Sequence, residues 1–349
     1  MASRKSLKRE SKLETSTKRK ERLDRGIKVR SDGIYAISSW AEAMYLLAPR
    51  LLLILAVFVV PLLMPNAYYQ RLVCLLFIYI LLGISFDFLT NFVGLVCLGG
   101  ALFMGVGGYI AGGLNAALGL PPALTIVIAT AGGAAICTLL LLPCLQLRGI
   151  YFAIVTLVYP LMLARIVEAT RIFGGTNGLP GLTTFDNVWV DFYLVIGVTM
   201  VVLFGLRRLA NEDVGLIFRG IKDNDRTVTA CGISIILYKT RALFLASAIG
   251  CFAGAYLCHL YGWVGLSFFA LDFSILPIAA TVVGGMGTLL GPLLGAAILV
   301  PLSEILRAFG TLRIVFYALL LILFIAFQPE GLMNYLNRKY TQFEHWIEV

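Results

Sequence analysis

The residues that could do chemistry in this chain are few, and most of them sit in apolar surroundings. Its two histidines, His259 and His345, lack the neighbours a zinc site or a Ser–His–Asp set would need. Lys never follows Gly, so the phosphate-cradling G-x-x-x-x-G-K-[ST] loop is absent and the polypeptide should not hydrolyse ATP by itself. Asp87, Arg165, Glu168, Asp272 and Glu304 lie within or beside apolar runs. Ionisable groups at such positions are candidates for function, because hydrocarbon penalises charge. Most fall near the ends of the runs, where a local partner or snorkelling suffices, and they form no chain of buried acids of the kind a proton relay uses. No catalytic set and no cofactor or metal site emerges.

Glycine carries more information. Gly94, Gly99, Gly100, Gly105, Gly107, Gly108, Gly112 and Gly113 crowd one apolar stretch, and a second cluster runs from Gly284 to Gly295. Bare backbone of this kind allows either close helix approach or a break that turns peptide groups toward a cavity. Between Arg171 and Leu182, the run Gly174, Gly175, Thr176, Asn177, Gly178 offers hydroxyl, amide and backbone donors. These could bind a polar group or build a tight turn. From Gly215 to Gly232 a polar segment of mixed charge, with Arg219, Lys222, Asp223, Asn224 and Asp225, reads as a short amphipathic helix suited to a groove on a soluble partner.

The elements that must position these residues are membrane spans. The chain has 349 residues, 60% of them apolar and 13% charged, against about 45–50% and about 25% in soluble domains. Apolar stretches long enough to cross about 30 Å of hydrocarbon recur from Arg50 to Phe327. The fold class is therefore all-α: a polytopic integral membrane protein with about nine or ten transmembrane segments, some broken by glycine or proline. Spans are predicted near 50–64, 72–90, 93–118, 122–145, 150–168, 190–206 and 241–262. The stretch 273–306 is too long for one helix and should divide, and a last span covers about 312–327.

Residues 1–33 form a basic arm that cannot bury enough surface to order itself, and 34–48 an interfacial elbow helix. A membrane domain occupies 49–328, with a polar loop at about 207–240, and 329–349 is a tail. Of the formal net charge of +9, residues 1–30 supply +8. The basicity thus belongs to a segment drawn to lipid headgroups on the cytoplasmic side, and does not signal nucleic-acid binding. The seven Lys/Arg from Arg207 to Arg241 place that loop on the same side by the positive-inside rule. The seven cysteines are odd in number, with no Cys-x-x-Cys pair. They read as packing residues, Cys137/Cys144 and Cys251/Cys258 each repeating on one helix face.

With these residues in view, the chain resembles the permease subunits of ABC importers for branched-chain amino acids, the LivM-like branch. The resemblance runs from about Leu81 to Leu332. It rests on ordered blocks: Gly94 to Tyr109, Leu147 to Leu157 with Thr156, Gly174 to Leu179, Arg219 to Gly232, Gly284 to Leu289 followed by Gly291-Pro292, and Pro329 to Leu332. It implies a pore half that pairs with a sister permease, two cytoplasmic ABC ATPase subunits and an extracytoplasmic solute-binding protein. Gly99, Gly100, Thr156 and Gly174 to Gly178 become candidates for the solute pathway. Arg219, Lys222, Asp223, Asn224, Asp225 and Gly232 become the segment receiving the ATPase stroke. Cys97 and Gly100 stand where the family's glycine-rich block usually has Ser and His, a departure that bears on the solute. Related permeases carry urea, short amides or other amino acids. A self-contained, ion-coupled secondary carrier is the rival reading, and it requires an essential charge at mid-membrane.

Overall fold

A computed structural model describes residues 66–335 except 148, 186–187, 307–309, 311–314, 317–318, 320–321, 323, 325 and 327–330. The basic arm, the elbow and the span expected at 50–64 lie outside the described residues, as does much of 312–327. Seven described helices are long and apolar enough to cross a membrane, and a shorter apolar helix accompanies them. This is the polytopic all-α class that the composition demanded.

The helices are α1 (Ala67–Asp87), α2 (Gly100–Leu118), α3 (Pro122–Leu141), α4 (Ile150–Thr170), α5 (Val188–Asn211), α6 (Asp213–Asp223), α7 (Asp225–Ala230), α8 (Ile235–Tyr261), α9 (Asp272–Gly284) and α10 (Gly291–Leu306). A π-helical turn, Phe88–Val93, extends α1, and a 3-10 turn, Leu266–Phe269, precedes α9. The described strands are two residues each, Leu179 opposite Val264 and Pro180 opposite Trp263, antiparallel.

α8 lies at the centre, with α2 beside it and running parallel. Phe103 meets Gly250, Gly107 meets Cys251 and Gly254 meets the Met104 carbonyl, so the two backbones touch where no side chain intervenes. Lipid removes the hydrophobic drive that assembles soluble helices, and small residues that permit dispersion contact replace it. α3 packs antiparallel on the same helix, pairing Thr138 with Ser247 at 3.3 Å and Cys137 with Cys251 at 3.9 Å between sulfurs. All seven cysteines are free, Cys231 being exposed.

Two expectations are corrected. The stretch 93–118 is not one span, since residues 94–99 are non-helical and α2 starts only at Gly100. Cys144 does not share a helix face with Cys137, because Pro143 diverts the chain into a 3-10 turn, Leu142–Gln146, after Leu141. The division of 273–306 is as expected, with α9 and α10 separated at 285–290.

The register of the contacts sorts the helix ends onto two faces. One carries the end of α1, the junction of α3 with α4, helices α6 and α7, the turn 285–290 and residues 331–335. The opposite face carries the β pair and residues 171–185.

Because the α2–α8 seam has no free volume, Gly254→Leu should lower the melting temperature of the detergent-purified chain by several degrees, overpacking costing about 1–3 kcal/mol. Gly132→Ala, which projects into open space, should leave it unchanged.

Candidate functional site

Three places where the backbone leaves helical geometry gather the candidate residues. At the first, residues 94–99 run through the interior as non-helical chain, which in apolar surroundings requires a partner for every peptide group. Fully buried Thr156 supplies one: its hydroxyl accepts from the Leu98 amide at 3.0 Å and donates to the Ala153 carbonyl at 2.9 Å. Ser274, also buried, supplies another by accepting from the Ala101 amide at 2.9 Å. Gly100 sits against the Phe273 carbonyl, where an added Cβ would lie 2.7 Å from that oxygen. The starts of α2 and α9 therefore meet side by side. Their depth follows from the neighbours: Phe103 packs on Gly250, halfway along α8, and Phe273 stacks on Tyr79 of α1 at 5.7 Å. This is a helix break near mid-membrane.

At the second place the run Gly174–Gly178 turns at the end of α4. Phe173, Gly174, Gly175 and Gly178 all have positive φ, and Gly178 packs on the Val264 carbonyl and Gly265. A side chain at Gly178 would meet both a left-handed backbone and that carbonyl. Trp263 Nε1 donates to the Asn177 carbonyl at 3.3 Å, while Thr176 and Asn177 are exposed. The turn is anchored by a polar knot that the sequence did not disclose. His259 Nδ1–H donates to the Thr183 carbonyl at 2.7 Å and Nε2 pairs with the Thr125 hydroxyl at 2.6 Å. Asn115 accepts from the Thr183 amide at 3.0 Å and donates to the Leu120 carbonyl at 2.8 Å. Spacing could not have found this knot, because its members come from four separate elements.

The structure does not bring Gly99, Gly100 and Thr156 together with Gly174–Gly178. Aromatic rings lie between them: Tyr109 stacks on Phe269 at 5.4 Å and meets Phe173 edge-on at 5.9 Å. Tyr109 stood inside the glycine block, and a polar aromatic among glycines on an apolar helix was the one available signal. Ser274 offered none.

The third place is the segment joining α5 to α8. It folds as two helices, α6 and α7, where one was expected, because Asn224 leaves helical geometry and its side chain caps α7 by accepting from the Arg226 amide at 3.0 Å. α6 seats Gly215, Phe218 and Ile221 inward. Phe218 meets Phe88 edge-on at 5.8 Å, the Arg219 guanidinium lies 5.9 Å from the Phe92 ring, and Lys222 Nζ donates to the Asn91 carbonyl at 2.9 Å. Asp225 pairs with buried Lys239 at 3.2 Å. Asp223 is exposed, and Gly232, at φ 80°, ends α7. The helix pair is thus fixed to the membrane body along one side and free along the other. Grooves of about 300 and 370 Å³ flank it, the second lined by Asn91, Phe92, Arg219, Lys222, Asp223, Met286 and Gly287.

The intramembrane charges mostly have local partners. Arg165 pairs with Glu168 at 2.7 Å and Glu304 accepts from the Tyr68 hydroxyl at 2.7 Å. Asp87 is fully buried and accepts three hydrogen bonds. The two glycine clusters are not paired across a common site: the first break faces the start of α9, while the second lies against Asp87 on the α6–α7 face. Among the described residues no group of three or more His, Cys, Asp or Glu could hold a metal ion.

The chain is thus a bundle of membrane-crossing helices with a broken span and a helix pair on one face, the class of a multi-pass membrane protein. Residues 68–327 match the family model described as branched-chain amino acid transport system / permease component, and the chain belongs to that family. It is similar to the high-affinity branched-chain amino acid transport system permease protein LivM of Salmonella typhimurium (28% identity) and of Escherichia coli (29%), each over 73% of this chain and 68% of the relative. A probable branched-chain amino acid transport permease protein LivM of Methanocaldococcus jannaschii is 24% identical over 70% of this chain and 83% of its own. No solved structure matches.

Thr156→Val should strand the Leu98 amide and destabilise the chain by about 1–3 kcal/mol. Thr156→Ser should restore it, with melting temperature in detergent as the readout.

Proposed function

We propose that the chain is the transmembrane permease subunit of an ABC importer. It forms half of the translocation pathway for branched-chain or related amino acids and is driven by ATP hydrolysis on partner subunits. The observation that carries this reading is the α6–α7 pair. Phe218 and Ile221 root it in the bundle and Lys222 binds the α1 extension, while Asp223 and Arg226 project from it. A short helix held rigidly on one side and charged on the other can receive a stroke from a soluble ATPase without melting. The names of the relatives support the solute class.

In this reading Arg219, Lys222, Asp223, Asn224, Asp225 and Gly232 form the ATPase-coupling segment. Asp223 faces the partner, and Arg219, Lys222, Asn224 and Asp225 fix the geometry. Gly99, Gly100 and Thr156 line the pathway near mid-depth. Gly174 to Gly178, on the opposite face, stand at the extracytoplasmic end of that pathway, where a solute-binding protein would deliver the solute. The basic residues between Arg207 and Arg241 make the α6–α7 face cytoplasmic, and the N-terminal arm lies on that side too. The location is a bacterial or archaeal cell membrane. α4 leaves Tyr151, Ile154, Val158 and Leu161 exposed, an apolar side that lipid and a sister permease would cover.

Affinity purification of the tagged chain from mildly solubilised native membranes should recover two P-loop ATPases and a sister permease. Reconstituted with the solute-binding protein, the assembly should take up a branched-chain amino acid only with ATP. Reversing charge at Arg219 and Asp223, or replacing Gly232, should uncouple hydrolysis from uptake by about tenfold or more. Gly178→Leu should abolish uptake. Recovery of the chain alone, with solute moving without ATP, would replace this reading with that of an ion-coupled carrier.

A further inference from the structure

Asp87 joins two parts of the α6–α7 face that are about 200 residues apart in sequence. Its Oδ1 accepts from the Gly287 amide at 2.7 Å and its Oδ2 from the Leu289 amide at 3.0 Å, so one carboxylate spans the turn between α9 and α10. That turn holds Leu289 at φ 57°, a conformation that disfavours a branched side chain and persists only where its surroundings impose it. On the other side Asn91 Nδ2 donates to Asp87 Oδ1 at 2.7 Å, and the Asn91 carbonyl accepts from Lys222 of α6 at 2.9 Å. Gly94, closing the π-helical turn that carries Asn91, lies directly against Lys222. A continuous line of charge-assisted hydrogen bonds therefore runs from α6 through Asn91 and Asp87 to the turn 287–289.

The far end of that line is the short helix α9. Its C-terminal end is the turn Asp87 holds, and its N-terminal end lies beside Gly100, with Ser274 bonded to Ala101. The helix is only 13 residues long, with Pro277 inside it, so displacement of its lower end acts over a short span on its upper end, which lies against the break at mid-depth. Buried carboxylate bonds suit this task, because low dielectric strengthens them and an unmade one is costly.

We propose that Asp87, with Asn91 as the link, is a positioning residue that carries movement of α6–α7 to the α9–α10 turn and so to the broken span. The proposal rests on the importer reading above and adds the route by which the ATPase stroke reaches the pathway.

The test compares Asp87→Ala, Asp87→Asn, Asn91→Ala and the double alanine variant in the complete assembly, measuring solute taken up per ATP hydrolysed. Asp87→Ala should lower that ratio by about tenfold or more while ATP hydrolysis stays within about twofold. Asp87→Asn should recover part of it, since an amide oxygen can still accept from one of the two backbone donors. The double variant should be no worse than Asp87→Ala, because the two residues act in series. A second readout needs no ATP. In a Cys231→Ser background, Met286→Cys on the exposed turn is labelled with a charged maleimide, and Asp87→Ala and Asn91→Ala should each raise the rate several-fold, whereas Asp223→Ala, which borders the same groove, should not. Unchanged labelling in Asp87→Ala would show that Asp87 does not hold the turn. Altered labelling with an unchanged uptake ratio would reduce Asp87 to a local cap, and either result overturns the proposal. If the wild-type assembly shows no ATP-dependent uptake, the importer reading fails before any variant is compared. The transmission role is then withdrawn with it, leaving labelling to decide the clamp alone.

Discussion

Backbone amides and carbonyls in an apolar medium must find partners within the protein, and the organisation of this bundle follows from how that demand is met wherever a helix stops. Each of three breaks is closed by polar side chains from distant elements. Thr156 and Ser274 serve the non-helical chain before α2 and its first turn. Asp87 serves the turn after α9. Asn115 and His259 serve residue Thr183 in the segment after α4. Remove the partner and the break becomes untenable in hydrocarbon, whereas a continuous helix would need none. Among the described residues, Thr156, Ser274, Asp87, Asn115 and His259 thus serve places where regular structure ends, while Ser85, Thr138 and Ser247 bond within the helix seams.

The breaks acquire their relative positions from the α2–α8 seam. Glycine on both helices lets the backbones touch over Phe103 to Gly112, and this close approach sets how deep α2 begins. α3 and α1 then pack antiparallel against α8, with Ser85 donating to the Ala246 carbonyl at 2.9 Å. α4 stands apart, with little of its length buried, which suits a helix whose outer face meets lipid.

Division of labour between the two faces is chemical. The α6–α7 face holds cations, the Asp87 clamp and two polar grooves. The opposite face holds glycine turns, a two-residue β pair and a hydrogen-bonded knot, a compact lid with little charge. Tyr109, Phe173 and Phe269 lie between that lid and the mid-depth break.

Sequence alone determined the class of this protein, because composition and the lengths of apolar runs are local properties that the bilayer reads directly. It also located both glycine clusters, the turn after α4 and the mixed-charge segment after α5, since each is a contiguous signal. Tertiary structure decided what these segments do to one another. The first glycine cluster serves helix contact and a break together, the two clusters face different partners, and one predicted amphipathic helix is two. Asp87, Ser274, Tyr109 and His259 gained their roles only from neighbours tens to hundreds of residues away, and no period or spacing along a chain encodes which amide a distant carboxylate will meet.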